Sequence, residues 1–160
     1  MKTMTRTKIY LPMTALILTA ALALPAAAQT QVPFKGTFQG NDTVTPPTLT
    51  QSVTGIGTLV GQFSSTTVLT LTAFGGTGSA HWIAANGDSI DTTFVASAIP
   101  GDVVFTVTEI HAITGGTGRF SGAQGTFTVH RTHIVALSAD GTHVTFGWFE
   151  GTITFPRATH

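Results

Sequence analysis

The chain contains no cysteine. That absence excludes disulfide staples, thiolate nucleophiles and cysteine-held zinc. Charge is almost as scarce: Asp, Glu, Lys and Arg make up 9% of the 160 residues, against roughly a quarter in an ordinary soluble domain. A solvated, disordered chain is therefore excluded. Seven basic residues balance seven acidic ones, so the basic footprint of a nucleic-acid binder is missing and no nucleic-acid partner is expected. There is no amphipathic helix of useful length and no GxSxG nucleophile elbow. The length leaves no room for two large domains.

What is abundant is threonine, glycine and phenylalanine, at 32, 18 and 11 residues. The N-terminal stretch has a different character. Lys2, Arg6 and Lys8 precede an apolar run from Leu11 to Leu24, and Ala26-Ala27-Ala28 supplies the small side chains that a signal peptidase accepts. Residues 1–28 read as a secretory signal peptide, with residues 29–160 as one domain. A retained membrane anchor is the alternative, but it needs about 20 apolar residues and the run is shorter. No stable anchor is expected after cleavage near Ala28, and the product is expected to be secreted or periplasmic. It would keep four basic residues against seven acidic ones, a net charge of −3.

Beyond the leader, β-branched and aromatic residues alternate with small or polar ones, the period-two signature of strands. Strands are predicted near 34–39, 53–63, 66–74, 79–85, 89–98, 103–114, 124–135 and 143–155. Val44 to Thr50, with Pro46-Pro47, reads as a loop. Asn86-Gly87 suggests a type I′ hairpin, and Pro100-Gly101 and Asp140-Gly141 suggest further turns. Gly118 to Ser121 allows at most one helical turn. Such short antiparallel strands must hide their edges. Closure into a β-barrel does so most completely, and a β-sandwich is the alternative. Gly75-Gly76-Thr77-Gly78 recurs as Gly115-Gly116-Thr117-Gly118. These runs lack the strand–GxGxxG–helix context of a nucleotide fingerprint, so they read as tight turns and bends.

The run Ile113-Thr-Gly-Gly-Thr-Gly-Arg-Phe-Ser-Gly-Ala-Gln-Gly-Thr-Phe127 resembles the ITGGTGRFxGAxGxF signature of the allene oxide cyclase barrel-like and dirigent-like superfamily. Ala84 to Asp88, Gly57-Thr58 with Gly61-x-Phe63, and Phe149 to Ile153 are similar to secreted bacterial members. The resemblance spans most of residues 34–155. It implies an eight-stranded antiparallel barrel, calycin-like in shape, with an apolar central cavity. It also implies a homo-oligomer, since the plant relatives assemble as trimers. Those relatives cyclise an allene oxide or steer the coupling of phenoxy radicals, whereas the bacterial ones largely lack an assigned activity. No catalytic residue of either plant family finds a matching motif here.

Val103, Phe105, Val107, Glu109, His111 and Ile113 share one face of a predicted strand. Phe105 and Val107 are candidate cavity lining. Glu109 and His111 are the candidate catalytic pair, since a carboxyl on an apolar interior would have a raised pKa. Glu109 could instead face outward or be satisfied by an arginine. His111 could be a neutral buried imidazole. His130 and His133 have an odd spacing that sends them to opposite faces of a strand, so no metal site is expected from them, and no cofactor is expected. His81 and His143 lie on other strands. Arg131 could pair with an acid at the barrel mouth. Gly115, Gly116, Gly118, Arg119 and Gly122 form the structural signature loop, with Arg119 expected to brace it by bonding carbonyls. Trp82 and Trp148 fit a core or an interface. The leading function is binding of a small apolar ligand. The alternatives are an isomerase, cyclase or dirigent-type enzyme and a structural or surface-interaction protein. N-terminal sequencing of the exported protein is expected to start at or within a few residues of Gln29, and a chain still starting at Met1 would restore the membrane anchor.

Overall fold

Alternation in this chain persists for longer than its turn residues suggest. The structure, a computed structural model, describes residues 31–156, so the expected signal peptide lies outside the described residues. Eight strands follow in order: β1 (Gln31–Thr45), β2 (Thr48–Gly57), β3 (Gly61–Thr72), β4 (Gly75–Ala84), β5 (Ser89–Ile99), β6 (Val104–Gly116), β7 (Gln124–Leu137) and β8 (His143–Thr154). Each pairs antiparallel with the next, and β1 closes onto β8 from Gln31↔Thr154 to Asp42↔His143, giving a closed barrel. Closure leaves no unpaired strand edge. The sandwich alternative is excluded.

Several boundaries differ from the sequence expectation. Pro46-Pro47 is only a two-residue turn, so β1 and β2 run up to it on both sides and most of the expected loop at 44–50 is strand. The break expected near Ser64 lies instead at 58–60, and Ser65 is an inward-facing strand residue. Asn86 does not take the positive φ of a type I′ turn. It accepts a hydrogen bond from the Asp88 N–H through its side chain, and only Gly87 is left-handed at +88°. The two Gly-Gly-Thr-Gly runs are not equivalent. The first opens β4, whereas the second ends β6 and enters a single 3-10 turn, Gly118–Phe120.

The barrel has two unlike ends. One carries the β2–β3, β4–β5 and β6–β7 connections, and the signature loop closes it. Phe120 from that loop is fully buried. Beneath it lies an aromatic core in which the Phe34 ring sits 4.8 Å from Phe149 and 4.9 Å from Phe127, and Phe63 sits 4.9 Å from Trp82. Tilted and edge-to-face pairs at this spacing add to plain area burial. The other end carries the β1–β2, β3–β4, β5–β6 and β7–β8 hairpins and is less completely filled. The expectation of an apolar cavity at the centre is therefore corrected: aromatic rings fill one half, and hydrogen-bonded ionisable side chains cross the middle.

Arg119 does not bond carbonyls. Its Nε lies 3.4 Å from the Asp88 carboxylate, which also accepts its backbone N–H at 3.3 Å. The signature loop is thus tied to the β4–β5 turn. Gly118 has φ +56°, and a Cβ there would run into the same Asp88 carboxylate. Gly115 has ordinary backbone, and its added Cβ would meet nothing closer than Asp91 Oδ2 at 3.7 Å. Gly118→Ala is expected to cost more than about 1 kcal/mol in urea unfolding, with Gly115→Ala close to neutral. Equal stability of both variants would remove the structural role of the loop.

Candidate functional site

The inward positions at mid-height are polar on most strands. Arg131, on β7, is buried with its guanidinium between two carboxylates from opposite directions. Nη1 donates to Asp42 Oδ2 of β1 at 2.8 Å. Nε and Nη2 both donate to Glu109 Oε1 of β6, at 3.0 and 2.8 Å. Glu109 Oε2 accepts from His111 Nε2 at 3.2 Å, and His111 Nδ1 meets Thr92 Oγ1 at 2.9 Å. The His111 ring is stacked between Phe94 and Phe127, with centroids 4.5 and 4.8 Å away. On the other side, His133 Nδ1 donates to Asp42 Oδ2 at 2.7 Å. Five ionisable side chains thus form one buried chain of charge-assisted hydrogen bonds.

Glu109 corrects the expectation of a raised pKa. Burial does push its carboxyl up. The charge of Arg131 and the hydrogen bonds from His111 and Arg131 outweigh that effect, and the net lies below the ordinary 4.5. Of the two readings of Glu109 as a merely structural residue, pairing with an arginine is the one the geometry shows.

Above this layer, at the end bearing the β1–β2 and β3–β4 hairpins, lies a cup of about 150 Å³. Leu49, Leu69, Leu71, Ala96, Phe105 and Val107 are among its apolar walls, and Thr72, Arg131 and His133 are its polar residues. Phe105 and Val107 therefore stand on the cavity wall. Glu109 and His111 do not reach it. They line a separate inner void of about 10 Å³, together with Gln51, Ser65 and Trp82. A larger depression, about 910 Å³, is a shallow groove on the outer surface lined by no ionisable residue among those described. The cup is smaller but unites enclosure, apolar walls and convergent polar groups, as ligand sites do.

The remaining candidates are dispersed. Gly115, Gly116, Gly118, Arg119 and Gly122 are at the closed end, remote from the cup. His130 points outward and stacks on Trp148 at 4.0 Å, so His130 and His133 do occupy opposite faces. His81 pairs with Asp91 at 2.6 Å on the outer surface. The His143 ring lies 4.6 Å from His133 at the mouth. The strand expected over 34–39 stops short of Asp42, which lies within β1. Continued alternation from Phe34 and Phe38 would have placed Asp42 on their face.

The fold is a closed eight-stranded antiparallel barrel of the dirigent-like kind. Among solved structures it is similar to that of a pterocarpan synthase dirigent protein, with 11% sequence identity and a TM-score of 0.54, covering 89% of this chain and 99% of that one. No protein-family model matches the chain, and no curated protein matches it in sequence. At this identity the likeness is one of fold.

The network has a pH consequence. Because the folded pKa of Glu109 is depressed, its stabilisation is present above the unfolded value near 4.5 and is lost as pH falls through the lower folded value. Glu109→Gln is expected to cost about 3 kcal/mol at neutral pH, the low end for breaking a buried ion pair, since Asp42 still faces Arg131. In denaturant titrations from pH 6 to pH 3 (roughly the window in which a carboxyl titrates), the variant should lose less stability than the wild type. Parallel curves would show that Glu109 is not held ionised by Arg131.

Proposed function

We propose that the protein binds a small, mainly apolar molecule in the open-end cup, outside the cytoplasm once the leader has been removed. The observation that carries this reading is the cup itself: apolar walls over a floor of Arg131 and His133. A cavity of roughly this size accepts a molecule on the scale of benzene. The floor gives a ligand with one polar end a preferred orientation. In this reading Glu109 and His111 position Arg131 from behind and do not themselves meet the ligand.

A second reading has a specific observation in its favour. The structural neighbour is a dirigent protein described as a pterocarpan synthase, and a polar floor beneath an apolar cup also suits a cyclase, isomerase or dirigent-type enzyme. Assembly of copies is a separate proposal. It is supported by an outer face on which Ile56, Ile83, Phe146 and Trp148 are exposed, and light scattering of the purified protein tests it.

Toluene, a probe of about the size of benzene, is expected to bind at one site per subunit in calorimetric titration. Ala96→Phe, which fills the cup from its wall, should weaken it at least tenfold, while Ile56→Ser on the outer face should not. Loss of affinity in Ile56→Ser with none in Ala96→Phe would move the ligand site to the surface. Absence of saturable binding in all three proteins would reject the ligand-binding reading.

A further inference from the structure

We propose that His133 is a proton acceptor at the floor of the cup, serving a ligand that joins an apolar body to one weakly acidic hydrogen on oxygen or nitrogen. The proposal rests on the cup as a ligand site and specifies the chemistry done there. His133 and Arg131 are two residues apart on β7, so both project inward. Asp42, fully buried behind them, holds both through a single oxygen: Arg131 Nη1 at 2.8 Å and His133 Nδ1 at 2.7 Å. A carboxylate only accepts hydrogen bonds, so a neutral imidazole here carries its hydrogen on Nδ1 and its lone pair on Nε2. Among the described residues nothing hydrogen-bonds Nε2. His133 lines the cup and Asp42 does not. The carboxylate thus acts as a positioning group that fixes the tautomer and leaves the basic nitrogen available to the cup, the division of labour seen wherever a buried Asp orients a His base.

The groups around His133 make proton uptake there electrostatically coherent. Asp42 faces it from β1, Arg131 from its own strand, and His143 from β8 with ring centroids 4.6 Å apart. Glu109 and His111 of β6 lie on the far side of Arg131. With neutral imidazoles, two carboxylates against one guanidinium leave the cluster with one net negative charge, and a proton on His133 cancels it. The step balances without any further reactant. The X–H bond of the ligand breaks and an N–H bond forms at Nε2. The electron pair stays on X, beside the Arg131 guanidinium, and the new imidazolium keeps its Nδ1–H on Asp42. The total charge of cup and ligand is unchanged.

Two probes with the same body separate binding from proton transfer. 4-Nitrophenol changes its absorption on ionisation, and 4-nitroanisole has no acidic hydrogen. Both are expected to bind, with the bound nitrophenol shifted toward its anion by roughly tenfold relative to water at the same pH, a difference of one pKa unit. At saturating nitrophenol, His133→Phe should abolish that shift, whatever it does to the affinity for either probe. In the wild-type protein without probe, nitrogen-15 NMR of His133 should place the hydrogen on Nδ1, a measurement that needs no variant to fold. The proposal is overturned if nitrophenol binds without the shift, if the shift survives in His133→Phe, or if the hydrogen is found on Nε2. If neither probe binds, the cup reading fails and takes this proposal with it.

Discussion

Arg131 holds the barrel interior together by an arrangement that is expensive to build and more expensive to break. Burying a guanidinium and two carboxylates carries a large desolvation cost, which their mutual attraction offsets only when geometry and hydrogen bonding are good. Here both carboxylates contact the guanidinium at 2.8 Å, and each is bonded in turn to a histidine. The cluster ties β1, β6 and β7 together across the lumen. It also divides the lumen. Rings and branched aliphatics fill the space below, and Leu49, Leu69, Leu71, Ala96, Phe105 and Val107 line the space above. The cup exists because the charged layer stops the aromatic core from continuing upward.

Much of this was legible in the sequence, and the failures have physical reasons. Alternation along β6 puts Phe105, Val107, Glu109, His111 and Ile113 on one face, and in the closed barrel that face points inward. The same rule applied to β1 stopped too early. Gly40-Asn41-Asp42 has turn-like composition, and an inward aspartate is intelligible only once its partners, some 90 residues away at Arg131 and His133, are in place. Composition records polarity, whereas a closed barrel enforces parity. The lowered pKa of Glu109 is illegible for the same reason: burial is visible in the alternation, whereas the Arg131 charge and the His111 hydrogen bond that outweigh it depend on how the barrel closes.

The position of the β2–β3 turn was obscured for a related reason. Gly55, Gly57 and Gly61 are all compatible with either strand or turn. The inward ones matter for packing. A Cβ on Gly55 would overlap the Phe63 ring, and one on Gly147 would overlap the Phe38 ring. Phenyl groups thus lie flat across glycines of the adjacent strand, so a residue that argues against a strand by propensity stabilises one here. The signature loop was recognisable as a glycine-dense corner, but only the structure shows that it closes the end opposite the cup. The loop that carries the resemblance lies away from the cup, and fold-level likeness consequently carries little information about the chemistry of the cup.

Closure of β1 onto β8 has a kinetic side. The seven sequential hairpins each join neighbours in the chain, whereas the seam pairs Gln31 with Thr154 and cannot form until both ends of the domain meet. Topologies dominated by such distant pairings fold slowly, since loop-closure entropy is lost before contacts compensate it. Asp42 arrives with that seam strand. Until it docks, Arg131 has only Glu109, and His133 has no carboxylate. The last strand pairing and the completion of the ionic layer are therefore one event, which gives the chain a built-in penalty against a barrel closed out of register: a one-residue slip of β1 would turn Asp42 outward and leave a cation buried with half its counter-charge.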